Sequence, residues 1–189
     1  MKVLLTTLNS KFIHTNLAIR YIKESIKDLV DVDIREYTIN NQLDYILKDI
    51  YLAKYDAIFF STYIWNIYDI VKLCENIKKV NPNVIIGLGG PEVSYDSEEA
   101  MEKYEFVDYI IRGEGEMVMR DLMKHFHGEM DIKHVDGITY RQDGKIIQNK
   151  ERMLLADLDL IPSPYENLDI TEYENRIVYY ETSRGCPFN

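Results

Sequence analysis

Two glycine-rich loops hold the residues of this chain that are best suited to contacting a ligand. They are Gly87–Ser94 (GLGGPEVS) and Arg112–Glu116 (RGEGE). Because glycine has no Cβ, a ligand can approach the backbone closely at Gly89 and Gly90. The N-terminus of a helix that follows such a loop attracts polar or anionic groups. The glutamates of the second loop have a simpler alternative role, which is to compensate the helix macrodipole and cap the helix.

Polar and aromatic residues follow two further apolar runs. They lie in Leu8–Asn16 (LNSKFIHTN) and in Ser61–Asn66 (STYIWN). Side chains at such positions reach the edge of a sheet where ligands bind, provided that the apolar runs are parallel strands. For His14 the alternative is a residue at a helix N-terminus that makes a local hydrogen bond.

The elements that must position these loops alternate along residues 1–128. Apolar runs predict strands at Val3–Leu8, Val32–Tyr37, Ala57–Ser61, Val84–Leu88 and Val107–Ile111. Helical spacing between them predicts inner faces at Leu17, Tyr21, Ser25 and Leu29; at Leu43, Ile46, Leu47 and Ile50; at Ile67, Ile70, Val71, Cys74 and Ile77; and at Met119, Leu122, Met123 and Phe126. Such alternation implies right-handed crossovers and a parallel sheet. We predict an α/β, flavodoxin-like, doubly wound domain with a five-stranded parallel sheet, which binds ligands beyond the carboxyl ends of its strands.

The pattern changes after residue 128. Residues 129–150 predict a β-hairpin, because Asp143-Gly144 supplies the positive φ angles of a tight turn. Residues 151–176 are acidic and contain prolines, which predicts a linker with little regular structure. A further strand is predicted at Ile177–Glu181, within residues 177–189. A domain seldom ends on a new strand, so we expect a chain truncated at the start of its next domain.

Composition excludes several classes of function. The formal net charge is -10 and no basic run is present, so we expect no binding to nucleic acid. No stretch approaches the roughly 20 apolar residues of a membrane span. The apolar run at the N-terminus is too short for a signal peptide. Two cysteines of unlike context do not form a disulfide framework, and Cys74 is expected to be a core thiol. A cytoplasmic location is expected.

Other doubly wound families lack support in the loops. A flavodoxin needs a glycine- and hydroxyl-rich phosphate loop after the first strand, and this loop has no glycine. A receiver domain needs an aspartate at the end of the third strand, where Ser61 stands. A dinucleotide-binding domain needs G-x-G-x-x-G after the first strand, and that motif is absent.

Three elements in order carry a resemblance to a known family. The GLGGPEVS loop, the RGEGE loop and Thr182–Asn189 (TSRGCPFN) together resemble the N-terminal cobalamin-binding domain of cobalamin-dependent radical-SAM proteins, joined to the start of the radical-SAM domain. The resemblance spans the whole chain, and its last element is the most specific. It implies that Cys186 is the first cysteine of the C-x-x-x-C-x-x-C motif. Three such thiolates hold a [4Fe–4S] cluster whose fourth iron binds S-adenosylmethionine.

The resemblance also implies the residues around cobalamin, a small-molecule cofactor. The G-G-P and G-E-G-E elements flank its nucleotide tail and corrin ring, and the loops after the first and third strands line its lower face. The predicted cofactor-binding residues are Asn9, Ser10, His14, Ser61, Thr62, Tyr63, Gly89, Gly90, Pro91, Glu92, Gly113, Glu114 and Gly115. Trp65 is placed on the lower face as well. Many cobalamin domains carry D-x-H-x-x-G after the first strand; His14 does not have that spacing, which leaves the lower axial ligand open.

The implied function is a cobalamin-binding domain that packs in cis on its own radical-SAM barrel. In the full-length protein the expected reaction is methyl transfer or a radical rearrangement, and no catalytic residue is expected in this chain itself. The alternative is a domain without cobalamin, which serves as a structural or substrate-recognition module on the barrel.

Overall fold

The computed structural model describes residues 1–166 and 170–185, in which a seven-stranded sheet is covered by helices on both faces. The elements in chain order are β1 (Lys2–Asn9), α1 (Leu17–Ile26), β2 (Asp31–Thr38), α2 (Leu43–Ala53), β3 (Ala57–Ser61), α3 (Ile67–Val80), β4 (Ile85–Gly89), α4 (Pro91–Ser94), α5 (Ser97–Lys103), β5 (Tyr109–Ile111), α6 (Gly115–Phe126), β6 (Ile138–Gln142) and β7 (Lys145–Gln148).

The sheet confirms the predicted architecture and is larger than predicted. Its strand order is β2-β1-β3-β4-β5-β6-β7, and β1 to β5 are parallel neighbours, as a flavodoxin-like domain requires. The predicted hairpin does not stand apart from this sheet. Its strand β6 pairs antiparallel with β5, with Ile138 opposite Ile111, and β7 forms the new edge. The reason is that β5 would otherwise present unpaired backbone groups.

Successive side chains of the central strands point alternately into two apolar layers, one on each face of the sheet. On β1, Leu4 and Leu8 pack in the layer under α2, α3 and α5, whereas Val3 and Leu5 pack under α1 and α6. All five residues of β3 are buried, which is typical of a strand covered on both faces. The inner faces predicted for α2, α3 and α6 are confirmed by buried residues such as Ile46, Ile70, Cys74 and Leu122.

The inner face of α1 differs from the prediction. Ile19 and Ile26 are buried, and Ile22 packs partly buried beside them in the layer shared with α6. Residues spaced by three and four keep to one face of a helix, whereas a set spaced by four throughout drifts around its axis. Of the predicted set, Ser25 is buried, while Leu17, Tyr21 and Leu29 are only partly so.

The chain beyond the hairpin packs back on the domain. Among residues 151–166 and 170–185 it forms two short 3₁₀ turns, Leu158–Leu160 and Ile170–Tyr173, and is otherwise irregular. The strand predicted at Ile177–Glu181 is not formed; the structure has a single parallel bridge between Ile177 and His14. The reason is that this segment meets a loop and not a strand edge, with the Ile177 amide donating to the Ile13 carbonyl at 2.7 Å.

Within the part of the chain that the structure describes, no helix combines the length and the apolar character needed to cross a membrane.

Candidate functional site

An inner cavity of about 200 Å³ opens at the carboxyl edge of the sheet, between the strand ends and helices α1 and α6. Its walls are mostly apolar side chains, including Leu5, Ile19, Ile22, Phe59, Ile111 and Met119. Its rim is backbone, because Gly89, Gly90, Gly113 and Gly115 all line it. The site can therefore enclose a flat apolar group and let a polar chain pass close to the peptide backbone.

The glycine at the centre of this rim has a conformation that other residues rarely adopt. Gly90 has φ 103° and ψ 174°. A Cβ at this position would lie inside 3.0 Å of the Thr62 carbonyl oxygen. Thr62 is fully buried, and both its amide and its hydroxyl donate to the Gly89 carbonyl at 2.7 Å. The loops after β3 and β4 are thus joined directly through their backbones.

An outer cavity of about 430 Å³ lies beside the inner one, above the ends of β1 and β3. It is lined by Asn9, Ser10, His14, Thr15, Asn16, Leu17, Tyr63, Trp65, Tyr179 and Tyr180. The rings of Tyr63 and Trp65 stack with centroids 4.6 Å apart and planes within 3°. Together they present a flat aromatic surface, and Trp65 is 48% exposed. Tyr63 also lines the inner cavity, so the two cavities share a wall.

The imidazole of His14 is held by a residue far along the chain. Its Nδ1 lies 2.5 Å from the hydroxyl of Tyr179, and the two rings stack at 6.1 Å. The His14 carbonyl accepts a hydrogen bond from Asn9 Nδ2 at 2.9 Å. The ring thus has a distant partner, while the His14 amide makes a local hydrogen bond to the Lys11 carbonyl at 3.2 Å. Tyr179 was missed from sequence because nothing in its surroundings marks it as a partner of the first loop.

Asn66 fixes the loop that carries Tyr63 and Trp65. It is almost completely buried, its Oδ1 accepts the Tyr63 amide at 2.7 Å, and its Nδ2 donates to the carbonyls of Leu8 and Ser61 at 3.0 and 3.2 Å. One amide side chain thus connects the carboxyl ends of β1 and β3. The available sequence signal was its position immediately before α3, where an asparagine is favoured at a helix N-cap, although here it makes no cap hydrogen bond.

A buried ion pair ties the chain beyond the hairpin to the first loop. The Glu36 side chain, on β2, is 4% exposed and accepts hydrogen bonds from Arg176 at 3.0 Å and from Arg20 at 3.4 Å. Its other oxygen accepts the Asn16 amide at 2.6 Å, at the start of α1. Arg20 donates in addition to the Tyr173 hydroxyl at 2.7 Å.

The glutamates of the RGEGE loop bind Arg184 and the linker. Glu116 is buried and accepts from Arg184 Nη2 at 2.5 Å, while Glu114 lies 3.7 Å from Nη1. Glu114 occupies the N-cap position of α6 without capping it, and accepts the Leu155 amide at 3.1 Å instead. Burial lowers the pKa of Arg184, but its hydrogen bonds to Glu116 and Glu181 outweigh burial and raise that pKa. The guanidinium therefore stays charged.

The structure brings most of the predicted residues to these two cavities. Asn9, Ser10 and His14 line the outer one; Ser61, Gly89, Gly90, Pro91, Gly113 and Gly115 line the inner one; and Tyr63 lines both. Thr62 lies behind the wall, and Glu114 faces the linker. Glu92 lines neither cavity, because the turn of α4 buries Val93 and leaves Glu92 exposed. Cys186 lies outside the described residues, among which no cluster of potential metal ligands is found.

Comparison with known proteins connects this geometry to a family. Residues 3–123 match the model of the B12 binding domain. An uncharacterized methyltransferase of Pyrococcus horikoshii is 33% identical over 126 residues, which are 65% of this chain and 28% of that relative. The cobalamin-dependent radical SAM methyltransferase TokK of Streptomyces tokunonensis is 30% identical over 143 residues, which are 71% of this chain and 21% of TokK.

The fold is shared with part of a solved enzyme. The structure of the cobalamin-dependent S-adenosylmethionine radical enzyme OxsB, with aqua-cobalamin and S-adenosylmethionine bound, superposes with a TM-score of 0.74 at 23% identity. The match covers 91% of this chain and 25% of OxsB. The chain thus spans between a fifth and a third of the length of each of these proteins.

Proposed function

This chain belongs to the B12-binding domain family, and we propose that it binds cobalamin across the two cavities described above. The nucleotide tail enters the inner cavity, and the corrin ring lies over the outer one. The observation that carries this proposal is the four-glycine rim around an apolar cavity at the carboxyl edge of a parallel sheet. A flat aromatic base at the end of a long polar chain matches such a site.

The residues present fit the parts of this cofactor. Phe59, Ile111 and Met119 supply apolar contact for the base of the tail. The sugar–phosphate chain would pass Gly89 and Gly90, where a Cβ would obstruct it. The corrin carries amide side chains on its periphery, and Asn9 and Ser10 offer hydrogen-bonding groups at the outer cavity.

The lower face of the corrin would meet an aromatic and imidazole surface. Tyr63 and Trp65 form its flat part, and His14 is held by Tyr179. Because His14 lacks the D-x-H-x-x-G spacing, we propose that it orients the loop through its bond to Tyr179 and does not act as the axial ligand. Bound cobalamin supplies a cobalt centre that carries a methyl group or takes part in redox chemistry.

For the whole protein we propose a radical-SAM enzyme in which this domain holds cobalamin against a barrel in cis. TokK, a cobalamin-dependent radical SAM methyltransferase by name, supports methyl transfer as the reaction. The proposed domains are residues 1–128 for the cofactor, 129–150 for the hairpin that extends the sheet, 151–176 for the linker, and 177–189 for the entry to the barrel. Cys186 is proposed as the first thiolate ligand of the cluster.

The test is a titration of the purified 189-residue chain with hydroxocobalamin, followed by gel filtration and the visible spectrum. We expect co-elution with a shifted spectrum. Ala18→Trp places a bulky ring at the exposed mouth of the inner cavity, and should abolish co-elution. Lys27→Trp, exposed at the far end of the same helix, is the matched control and should bind as the unmodified chain does. Complete separation of the unmodified chain from hydroxocobalamin at tens of micromolar would overturn the proposal.

A further inference from the structure

One guanidinium holds three carboxylates from two distant parts of the chain. Arg184 donates to Glu116 at 2.5 Å and to Glu181 at 2.7 Å, and lies 3.7 Å from Glu114. Its carbon Cζ stands 5.4 Å from the centre of the Tyr21 ring on α1. The planar fork of an arginine can serve several oxygens at fixed angles, which a lysine cannot do. The arrangement is therefore specific for arginine.

Burial makes this cluster depend on Arg184. The side chains of Glu116 and Arg184 are 6% and 17% exposed. Within residues 1–166 and 170–185, Arg184 supplies the one cation within 4.0 Å of either Glu114 or Glu116. Without it, a buried carboxylate would lose its partner and two like charges would remain in one turn. Such a loss is strongly destabilising, because the remaining charge stays desolvated.

The RGEGE loop has two faces, and Arg184 binds one of them. Gly113 and Gly115 line the inner cavity, whereas the alternating Glu114 and Glu116 point to the linker and to Arg184. A shift of either glutamate would move the glycines that rim the cavity. Arg184 itself stands in the segment that leads to Cys186, two residues further on.

We infer that Arg184 is a positioning residue that couples the cofactor loop of the sheet to the segment leading to Cys186. This inference rests on the proposed function, since it takes the inner cavity as the cobalamin site. Binding energies are reciprocal between coupled sites. Cobalamin in the cavity therefore orders residues 181–184, and an ordered 181–184 segment in turn tightens cobalamin binding.

The test compares Arg184→Met, Arg184→Lys and Arg152→Met in the 189-residue chain. Arg152 is the control because it pairs with a buried carboxylate of α6, Asp121, at 2.7 Å; Lys124 also binds Asp121, at 3.1 Å, and neither Arg152 nor Asp121 lines a cavity. Hydroxocobalamin affinity is expected to fall about tenfold in Arg184→Met, within the usual range of coupling between sites. Arg184→Lys should recover part of that loss, and Arg152→Met should stay within about twofold of the unmodified chain.

Amide hydrogen exchange supplies a second readout that does not require cobalamin. Without cofactor, Arg184→Met should speed exchange in 113–117 and 180–185, whereas Arg152→Met should not. With hydroxocobalamin, exchange in 180–185 should slow in the unmodified chain and stay fast in Arg184→Met. If Arg184→Met does not fold, Arg184→Lys, which keeps a charge for Glu116, still shows the intermediate loss.

The outcomes separate this inference from the proposed function. If the unmodified chain fails to bind hydroxocobalamin, the proposed function fails, and exchange in 113–117 still decides whether Arg184 positions the loop. If the unmodified chain binds but Arg184→Met binds equally well, the inference is wrong and the proposed function stands. Equal weakening by Arg152→Met would also overturn it, because the effect would then be one of general stability.

Discussion

Replacing Gly90 by alanine should be among the most damaging single-methyl additions in this chain. Gly90 has φ 103° and ψ 174°, a region of backbone conformation that is essentially restricted to glycine. An alanine there stores strain of about 1–3 kcal/mol. Its Cβ would also lie inside 3.0 Å of the Thr62 carbonyl oxygen, which belongs to backbone and cannot rotate away. Overpacking of this kind adds about 1–3 kcal/mol.

The two contributions together predict a loss of roughly 4 kcal/mol in the free energy of unfolding of Gly90→Ala. Gly128→Ala is the matched control: Gly128 also has a positive φ, of 78°, but nothing lies within 4 Å of its Cβ position. Its cost should be the backbone strain alone, about 1–2 kcal/mol. The comparison therefore isolates the contact between the loops after β3 and β4.

Urea unfolding of the cofactor-free chain, followed by far-ultraviolet circular dichroism, measures both variants. With a denaturant slope of about 2 kcal/mol per molar, the midpoint of Gly90→Ala should fall by roughly 2 M. A midpoint no lower than that of Gly128→Ala would refute the reasoning, since it would mean that Thr62 moves aside without cost.

Three further changes test other parts of the molecule. Gly87→Ala would place a Cβ inside 3.0 Å of the Phe59 ring, which must then tilt in the inner cavity, so hydroxocobalamin affinity should fall while circular dichroism stays unchanged. Burial and a hydrogen bond to Asp33 raise the pKa of Tyr55 to about 12, so its stabilising contribution is full below the unfolded value near pH 10 and is lost as pH rises through 12. Between pH 10 and 12 this group should lower the unfolding free energy of the unmodified chain by about 2–3 kcal/mol, and Tyr55→Phe should lack that part of the fall. A pH profile that Tyr55→Phe leaves unchanged would contradict this assignment. Glu36→Gln leaves Arg20 and Arg176 without the carboxylate charge that opposes theirs, and should cost about 3–5 kcal/mol in urea unfolding; a loss below that of an exposed substitution would show that the pair is not buried in solution.

Local patterns predicted the sheet and the glycine loops. The continuous apolar run of β3 and the alternation of runs with helical spacing determine a parallel, doubly wound sheet, and the carboxyl edge follows from the strand direction. Gly89, Gly90, Gly113 and Gly115 were predictable because the absence of a side chain is itself a local signal. The inner face of α1 was not, since its apolar residues fit more than one helical face.

Contacts between distant segments could not be predicted from one sequence. Glu116 and Arg184 are 68 residues apart, Glu36 and Arg176 are 140 apart, and His14 and Tyr179 are 165 apart. In each case the residue type fits several ordinary roles, such as a helix cap or an exposed charge. Only the packing of residues 151–166 and 170–184 on the domain selects one of these roles.

The bond between His14 and Tyr179 has a consequence for the nascent chain. The ribosome adds roughly 5–20 residues per second, so the two residues, 165 apart, are made roughly 8 to 33 s apart. Small α/β domains fold within milliseconds to seconds. The sheet can therefore form well before Tyr179 is synthesised. During that interval the loop that carries His14 lacks its hydrogen bond to Tyr179. All residues that line the inner cavity are made before Tyr179, and the wall of the outer cavity is completed only when Tyr179 and Tyr180 emerge.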